Sequence, residues 1–247
     1  MRGTPRSVFI KKYSVVSMRW NDGLLIDRTV QNGGAEMFIK SNICVMGIGG
    51  GGRNIVTFLH ANNLSHVRYL VLDTDLDTLS SCVDVPTLSL ATGLPHGNGL
   101  KGCAQLGVKC AELNRAEISM ALAGVDFLII AAALGGGTGS GAIIPVLEIA
   151  NELNIKSMVM LTLPFDFEGK RRNDTALQSL SSIVKICPHI ICEKLDGRKF
   201  VDTNRNFSDY FNIVHSLFYD AVKLVIEKFQ QGQSTIIDTR MHAPFLD

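Results

Sequence analysis

From residue 42 onward, short unbroken apolar runs alternate with stretches in which apolar positions recur every three or four residues. The runs predict strands over 42–48, 67–72, 85–90, 125–132, 156–163 and 189–192. Each is a Val/Ile/Leu-rich block rather than an in–out alternation, as a parallel sheet covered on both faces requires. The longer periods predict helices over 52–62, 103–123, 138–153, 171–186 and 207–230. In the last of these, Phe211, Val214, Phe218, Val222, Val225 and Phe229 repeat at helical spacing, and Gly232 supplies a stop. That helix is apolar over much of its circumference and is expected to be well buried. Strands alternating with helices predict an α/β fold, a doubly wound and mostly parallel sheet with right-handed crossovers.

Residues 1–40 show no sustained period and contain the turn signal Asn32-Gly33-Gly34. They are read as a flexible extension, 41–232 as the folded domain and 233–247 as a short tail. The extension is basic, with Arg2, Arg6, Lys11, Lys12 and Arg19 and no acid in its first twenty residues. That composition suits a poorly ordered arm, with an organellar targeting segment as the alternative.

Composition removes several function classes. A net charge of +1 supplies no broad field for nucleic acid or an anionic membrane surface. No run approaches the roughly 18 apolar residues of a spanning helix, so no direct membrane contact is expected. The six cysteines show no CxxC spacing and lie mostly in apolar runs, which reads as reduced core residues in a cytoplasmic setting. Cys187-Pro188-His189-Ile190-Ile191-Cys192 has metal-ligating residue types, but its apolar positions read as a buried strand. No residue is expected to bind a metal directly.

The chemistry concentrates in two glycine-rich turns. Gly47-Ile48-Gly49-Gly50-Gly51-Gly52 and Gly135-Gly136-Gly137-Thr138-Gly139-Ser140-Gly141 each follow a predicted strand and open a predicted helix. Residues without a β-carbon let backbone N–H groups approach phosphate oxygens, and a helix N-terminus adds positive partial charge. The first turn satisfies G-x-G-x-x-G, and Asp73 follows its third glycine by 21 residues, the spacing of a dinucleotide-binding oxidoreductase. The second turn forms another anion nest, for which that reading has no use. A P-loop would need a lysine, and Gly139-Ser140-Gly141-Ala142 has none.

At these residues the chain resembles FtsZ, the bacterial relative of tubulin. Gly135–Gly141 is similar to the family's GGGTGTG signature, with Ser140 for the second Thr. Pro164-Phe165-Asp166-Phe167-Glu168-Gly169-Lys170-Arg171-Arg172 resembles its PFxFEGxxR segment, and Val71–Asp75 with Leu79 resembles VNTDxQAL. The resemblance runs from about Ile43 to Ile237 and implies a GTP- or GDP-binding GTPase of cell division, acting in the cytoplasm at the division site. Mg2+ would be carried through the nucleotide, and self-association, or association with a full-length homologue, would be head-to-tail. The resemblance assigns Gly50, Gly51, Gly52, Arg53, Asn54 and Asp73 to the first side of the nucleotide. Gly135, Gly136, Gly137, Thr138 and Gly139 would cradle the outer phosphates. Glu168 and Arg172 would hold the ribose, Phe211 would stack on the base, and His215 would face its edge. The loop Thr92–Gly99 would close over the γ-phosphate. Plainer readings of the same residues stay open: Glu168 and Arg172 also suit a solvated surface pair, and Phe211 a core position.

The pattern departs from the family in three places. Arg53 stands where another glycine is usual; its positive side chain would either tighten phosphate binding or point into solvent. His215 replaces an Asn or Asp at the guanine edge and cannot offer the paired acceptors of a carboxylate, which weakens discrimination against adenine. The acidic NxDxxD loop, which acts on the neighbouring subunit's nucleotide, reads Ile236, Asp238 and Met241 here. Asp238 remains as the one catalytic candidate, so turnover and self-polymerisation are expected to be weak. The family's second domain finds no counterpart within 233–247. Two further functions stay open beside the GTPase: a non-hydrolysing regulator that caps or co-assembles with a full-length FtsZ, and an NAD-binding oxidoreductase.

Overall fold

The structure is a computed structural model and describes residues 42–64, 67–92, 99–195 and 207–230. Expectations for residues 1–40, for the interior of the Thr92–Gly99 loop, and for Ile236, Asp238 and Met241 lie outside the described residues.

Six strands form one sheet: β1 Ile43–Ile48, β2 Val67–Asp73, β3 Thr87–Ser89, β4 Phe127–Ala133, β5 Lys156–Leu163 and β6 Ile190–Lys194. Their order is β3-β2-β1-β4-β5-β6, and all neighbours are parallel. This is the doubly wound arrangement expected from the alternation of apolar runs. Strand order reverses between β1 and β4, and ligands of such sheets lie beyond the carboxyl ends of the strands at that reversal.

Between the strands run α1 Gly49–Ala61, α2 Leu76–Ser80, α3 Ala104–Leu113, α4 Arg115–Ala121, α5 Thr138–Gly141, α6 Ile143–Glu152 and α7 Lys170–Ile186, with α8 Phe207–Gln230 closing the described fold. Two apolar clusters explain why the central strands carry no polar face. Cys44, Met46 and Ile48 of β1 pack under α3, α4, α6 and α7. Ile43 and Val45 pack with Ile55, Val56 and Leu59 of α1 and with Val214, Phe218 and Val222 of α8. Successive side chains point to opposite faces, so each face of the sheet has its own core.

Several elements depart from the sequence reading. The helix expected over 103–123 is two helices, because buried Asn114 ends the first. Its Nδ2 donates to the Cys110 carbonyl at 2.8 Å, and its Oδ1 accepts from the Thr92 hydroxyl at 2.7 Å. The helix expected from Thr138 is divided at Ala142, where Pro145 removes the donor that would bond the Gly141 carbonyl. The strand expected over 85–90 shortens to three residues, and the Pro86 carbonyl instead accepts from Val71 N–H at 2.9 Å. Helix α8 is buried on one side only: Ile213, Leu217 and Leu224 remain about 40% exposed. Tyr210, Val214, Phe218, Val222, Val225 and Ile226 meet the core. No helix among the described residues is long and apolar enough to cross a membrane.

Candidate functional site

The first glycine turn is itself the opening turn of α1, three residues earlier than the sequence reading placed the helix start. Its N-cap, Ile48, offers no side-chain hydrogen bond, and no acid occupies the first turn. The leading N–H groups of a helix have no partner within it. Those of α1 therefore point outward from the carboxyl end of β1.

The second turn leaves β4, the strand adjacent to β1, and the two turns touch. Gly49 has φ +74°, and a β-carbon there would lie 3.0 Å from the Gly139 nitrogen and 3.5 Å from Thr138 Cβ. Only glycine tolerates both that backbone angle and that approach. The second turn is tied down at several points. Ser140 Oγ accepts from Gly135 N–H at 2.7 Å, and the Thr138 and Thr74 hydroxyls share a buried 2.7 Å hydrogen bond. From behind, α3 lies against it: a β-carbon on Gly107 would stand 2.4 Å from the Gly137 carbonyl oxygen, and one on Gly141 would overlap the Ala104 carbonyl.

Not all the glycines serve the same end. β-Carbons on Gly51, Gly52 and Gly139 would meet Ala133 Cβ at 2.3 Å, the Ala131 oxygen at 2.4 Å and the Ala133 oxygen at 2.6 Å. Gly52 and Gly139 pack backbone against backbone, and Gly51 packs against the Ala133 methyl. Gly50 and Gly136 have nothing within 4 Å of an added β-carbon. They face open space, one from each turn.

Asp73 ends β2 beside the turns but is 3% exposed. Its carboxylate accepts from Thr74 N–H at 2.7 Å and Asp75 N–H at 3.3 Å. Burial raises its pKa, against hydrogen bonds from Thr74, Thr138 and Asp75 that lower it. A carboxylate spent on the chain in this way is poorly placed to hold a dinucleotide's ribose, which argues against the oxidoreductase reading.

After β5, Glu168 and Arg172 form an ion pair at 2.9 Å, and Glu168 also accepts from Phe165 N–H at 2.9 Å. Arg172 stands over the second turn, its Cγ 2.6 Å from where a Gly135 β-carbon would lie. The Phe211 ring of α8 meets Phe165 edge-on at 6.1 Å, and His215 lies between Phe211 at 6.2 Å and Phe58 at 5.3 Å. Burial lowers the His215 pKa, so its imidazole is neutral near pH 7. Phe211 is half-buried and packs against the core.

The candidate residues that are described thus lie on turns beyond the carboxyl ends of β1, β2, β4 and β5 and on the first turns of α8. Sequence reasoning missed Thr74, whose hydroxyl locks the second turn, and Ser81, which accepts from Arg53 Nη1 at 2.6 Å. Thr74 lies within the Val71–Asp75 segment that resembles VNTDxQAL, whereas Ser81 carries no local signal, and each matters through a neighbour distant in sequence.

The family model for the GTPase domain of the Tubulin/FtsZ family matches residues 42–195. The cell division protein FtsZ of Buchnera aphidicola subsp. Acyrthosiphon pisum is 31% identical over 194 residues, 78% of this chain and 50% of that protein. The same protein of Pseudomonas aeruginosa is 33% identical over 149 residues, 60% of this chain and 38% of its own length. An empty FtsZ dimer of M. jannaschii superposes with a TM-score of 0.68 at 26% identity, covering 76% of this chain and 55% of that one. CetZ2 of Haloferax volcanii, a GTPγS-bound protofilament, shares the fold at a TM-score of 0.67 and 21% identity, covering 81% of this chain and 61% of that one. The chain spans about half the length of the curated Buchnera relatives it matches.

Proposed function

The chain belongs to the tubulin/FtsZ family, through its GTPase domain, and from that premise we propose that it binds GTP or GDP in the cleft where the two glycine turns meet. The observation that carries this reading is the contact of Gly49 with Gly139 at the reversal of strand order, with Gly50 and Gly136 open beside it. Backbone N–H groups of Gly50, Gly51 and Gly52 face the inner phosphates, with the Asn54 amide beside them. Those of Gly136, Gly137, Thr138 and Gly139 face the outer ones. Glu168 accepts from the ribose hydroxyls, Arg172 flanks it, and Phe211 stacks on the base. Asp73 acts from behind, holding the turn after β2. Mg2+, when bound through the nucleotide, neutralises phosphate charge.

Hydrolysis is proposed to be weak and to depend on a head-to-tail neighbour, which presents Asp238 to the outer phosphate. The neighbour is a second copy of this chain or a longer homologue, and the setting is cell division. A second reading, a nucleotide-binding regulator that caps such a homologue without turnover, is favoured by Ile236 and Met241 in the loop that otherwise orients water. Thermal shift with GTP, GDP, ATP and NAD tests the site. Protection by GTP and GDP is expected, and protection by NAD alone overturns it. Phosphate release, alone and mixed with full-length FtsZ, separates the two roles. A rate that rises with the square of protein concentration marks self-assembly, and suppression of the partner's turnover marks capping.

A further inference from the structure

We propose that Arg53 is a positioning residue that acts on the phosphates through Asn54 rather than touching them itself. Arg53 lies in α1, one position past the glycine turn. Its Nη2 donates to Asn54 Oδ1 at 2.8 Å and its Nη1 to Ser81 Oγ at 2.6 Å. Ser81 passes the bond on, donating to the Thr78 carbonyl at 2.6 Å. The guanidinium is therefore stretched between α1 and the end of α2, and its buried Nε has no hydrogen-bond partner among the described residues. No carboxylate of the described residues pairs with it.

A guanidinium can only donate, so the Asn54 atom facing it must be the amide oxygen. That fixes the amide's orientation and turns both Nδ2 hydrogens away from Arg53, where they have no partner among the described residues. Asn54 follows Gly50 by four positions, so both lie on one face of α1, and helical side chains lean toward the N-terminus. The freed donors therefore lean toward the open space at Gly50, where they suit a phosphate oxygen. Without Arg53 the amide is free to present its oxygen, which repels the same group.

The inference rests on the nucleotide site proposed above. It is tested by calorimetric titration of the full chain with GDP and GTP, using wild type, Arg53→Met, Asn54→Ala and the double variant. Arg53→Met, which has no donor for Oδ1, is expected to weaken binding by about three- to tenfold, in the range of one hydrogen bond. The double variant should bind within about twofold of Asn54→Ala, since the two residues act in series. Arg53→Lys, which still donates to Oδ1, should recover part of the loss. The Asn54 side-chain amide resonances should move in Arg53→Met before any nucleotide is added, which a general loss of packing elsewhere in α1 does not produce. Losses that multiply in the double variant assign Arg53 a phosphate contact of its own and overturn the proposal, as does unchanged affinity in Arg53→Met. If Arg53→Met does not fold, Arg53→Leu in the same cycle gives the same decision. Failure of the wild type to bind either nucleotide instead overturns the site itself.

Discussion

Neighbouring glycines of the first turn are predicted to fail in opposite ways when each is replaced by alanine. Gly50→Ala adds a methyl group with no atom within 4 Å, at a helical position outside the left-handed region. Helix propensity then favours the variant by up to about 1 kcal/mol, so the nucleotide-free protein should melt at or above the wild-type temperature. The methyl nevertheless enters the space assigned to phosphate. Losing one backbone bond to a charged oxygen, worth about 1.5–3 kcal/mol, weakens GTP binding about tenfold or more. Gly51→Ala places its methyl 2.3 Å from Ala133 Cβ, where relaxed carbon contacts need about 3.5–4.0 Å. Both atoms sit directly on backbone, so α1 or β4 must shift. Overpacking of this kind costs about 1–3 kcal/mol, a fall of about 2–12 °C in melting temperature for a domain of this size. Calorimetric melting without nucleotide and titration with GTP read the two effects separately. Wild-type GTP affinity in Gly50→Ala refutes the location of the phosphates, and an unchanged melting temperature in Gly51→Ala refutes the close approach of α1 to β4.

Four further outcomes follow from the same geometry. Thr138→Val removes a buried 2.7 Å bond and strands the Thr74 hydroxyl; urea unfolding should show a loss of about 1–3 kcal/mol, and GTP protection should fall with it. Burial lowers the pKa of His215, and burial together with Lys156 lowers that of His189. Stability from both is then full above about pH 6.5 and lost as pH falls through the lowered values, because the unfolded chain takes up protons first. Urea midpoints should drop as pH falls below about 6.5, and His215→Phe should flatten part of that drop; identical slopes would remove His215 from the account. Phe211→Ala should weaken GTP by about 1–3 kcal/mol, the value of an aromatic stack, while leaving pyrophosphate affinity unchanged in competition titrations. His215→Asp restores paired acceptors at the base edge and should raise the ratio of GTP to ATP affinity, and an unmoved ratio would place that residue away from the base.

The parts of this fold that were legible in the sequence are those set by continuous burial. Strand β5 is the predicted 156–163 and α8 the predicted 207–230, because unbroken apolar runs and a long helical period leave little alternative. The division of the 103–123 helix was not legible, since it turns on Asn114 meeting a hydroxyl 22 residues away. Nor does composition distinguish Gly50, which faces open space, from Gly51, which is pressed against β4. Both are glycines in one run, and only the approach of another strand separates their roles. Arg53 is the same kind of case: a cation beside a phosphate loop reads as a ligand until Ser81 and Asn54 are seen to hold both of its ends.

The bare contact between α3 and the second turn has a mechanical consequence. Gly107 and Gly141 leave no side chain in that seam, so there is no rotamer to swing aside and no methyl cushion to compress. Main chain rests on main chain, and packed interiors of this density carry strain rather than absorb it. Any repositioning of the turn therefore displaces α3 as a stiff rod, carrying with it the surface that Gln105, Lys109 and Glu112 present to solvent. If the proposed nucleotide shifts the turn on binding, that shift would reach the outside of the molecule by direct push.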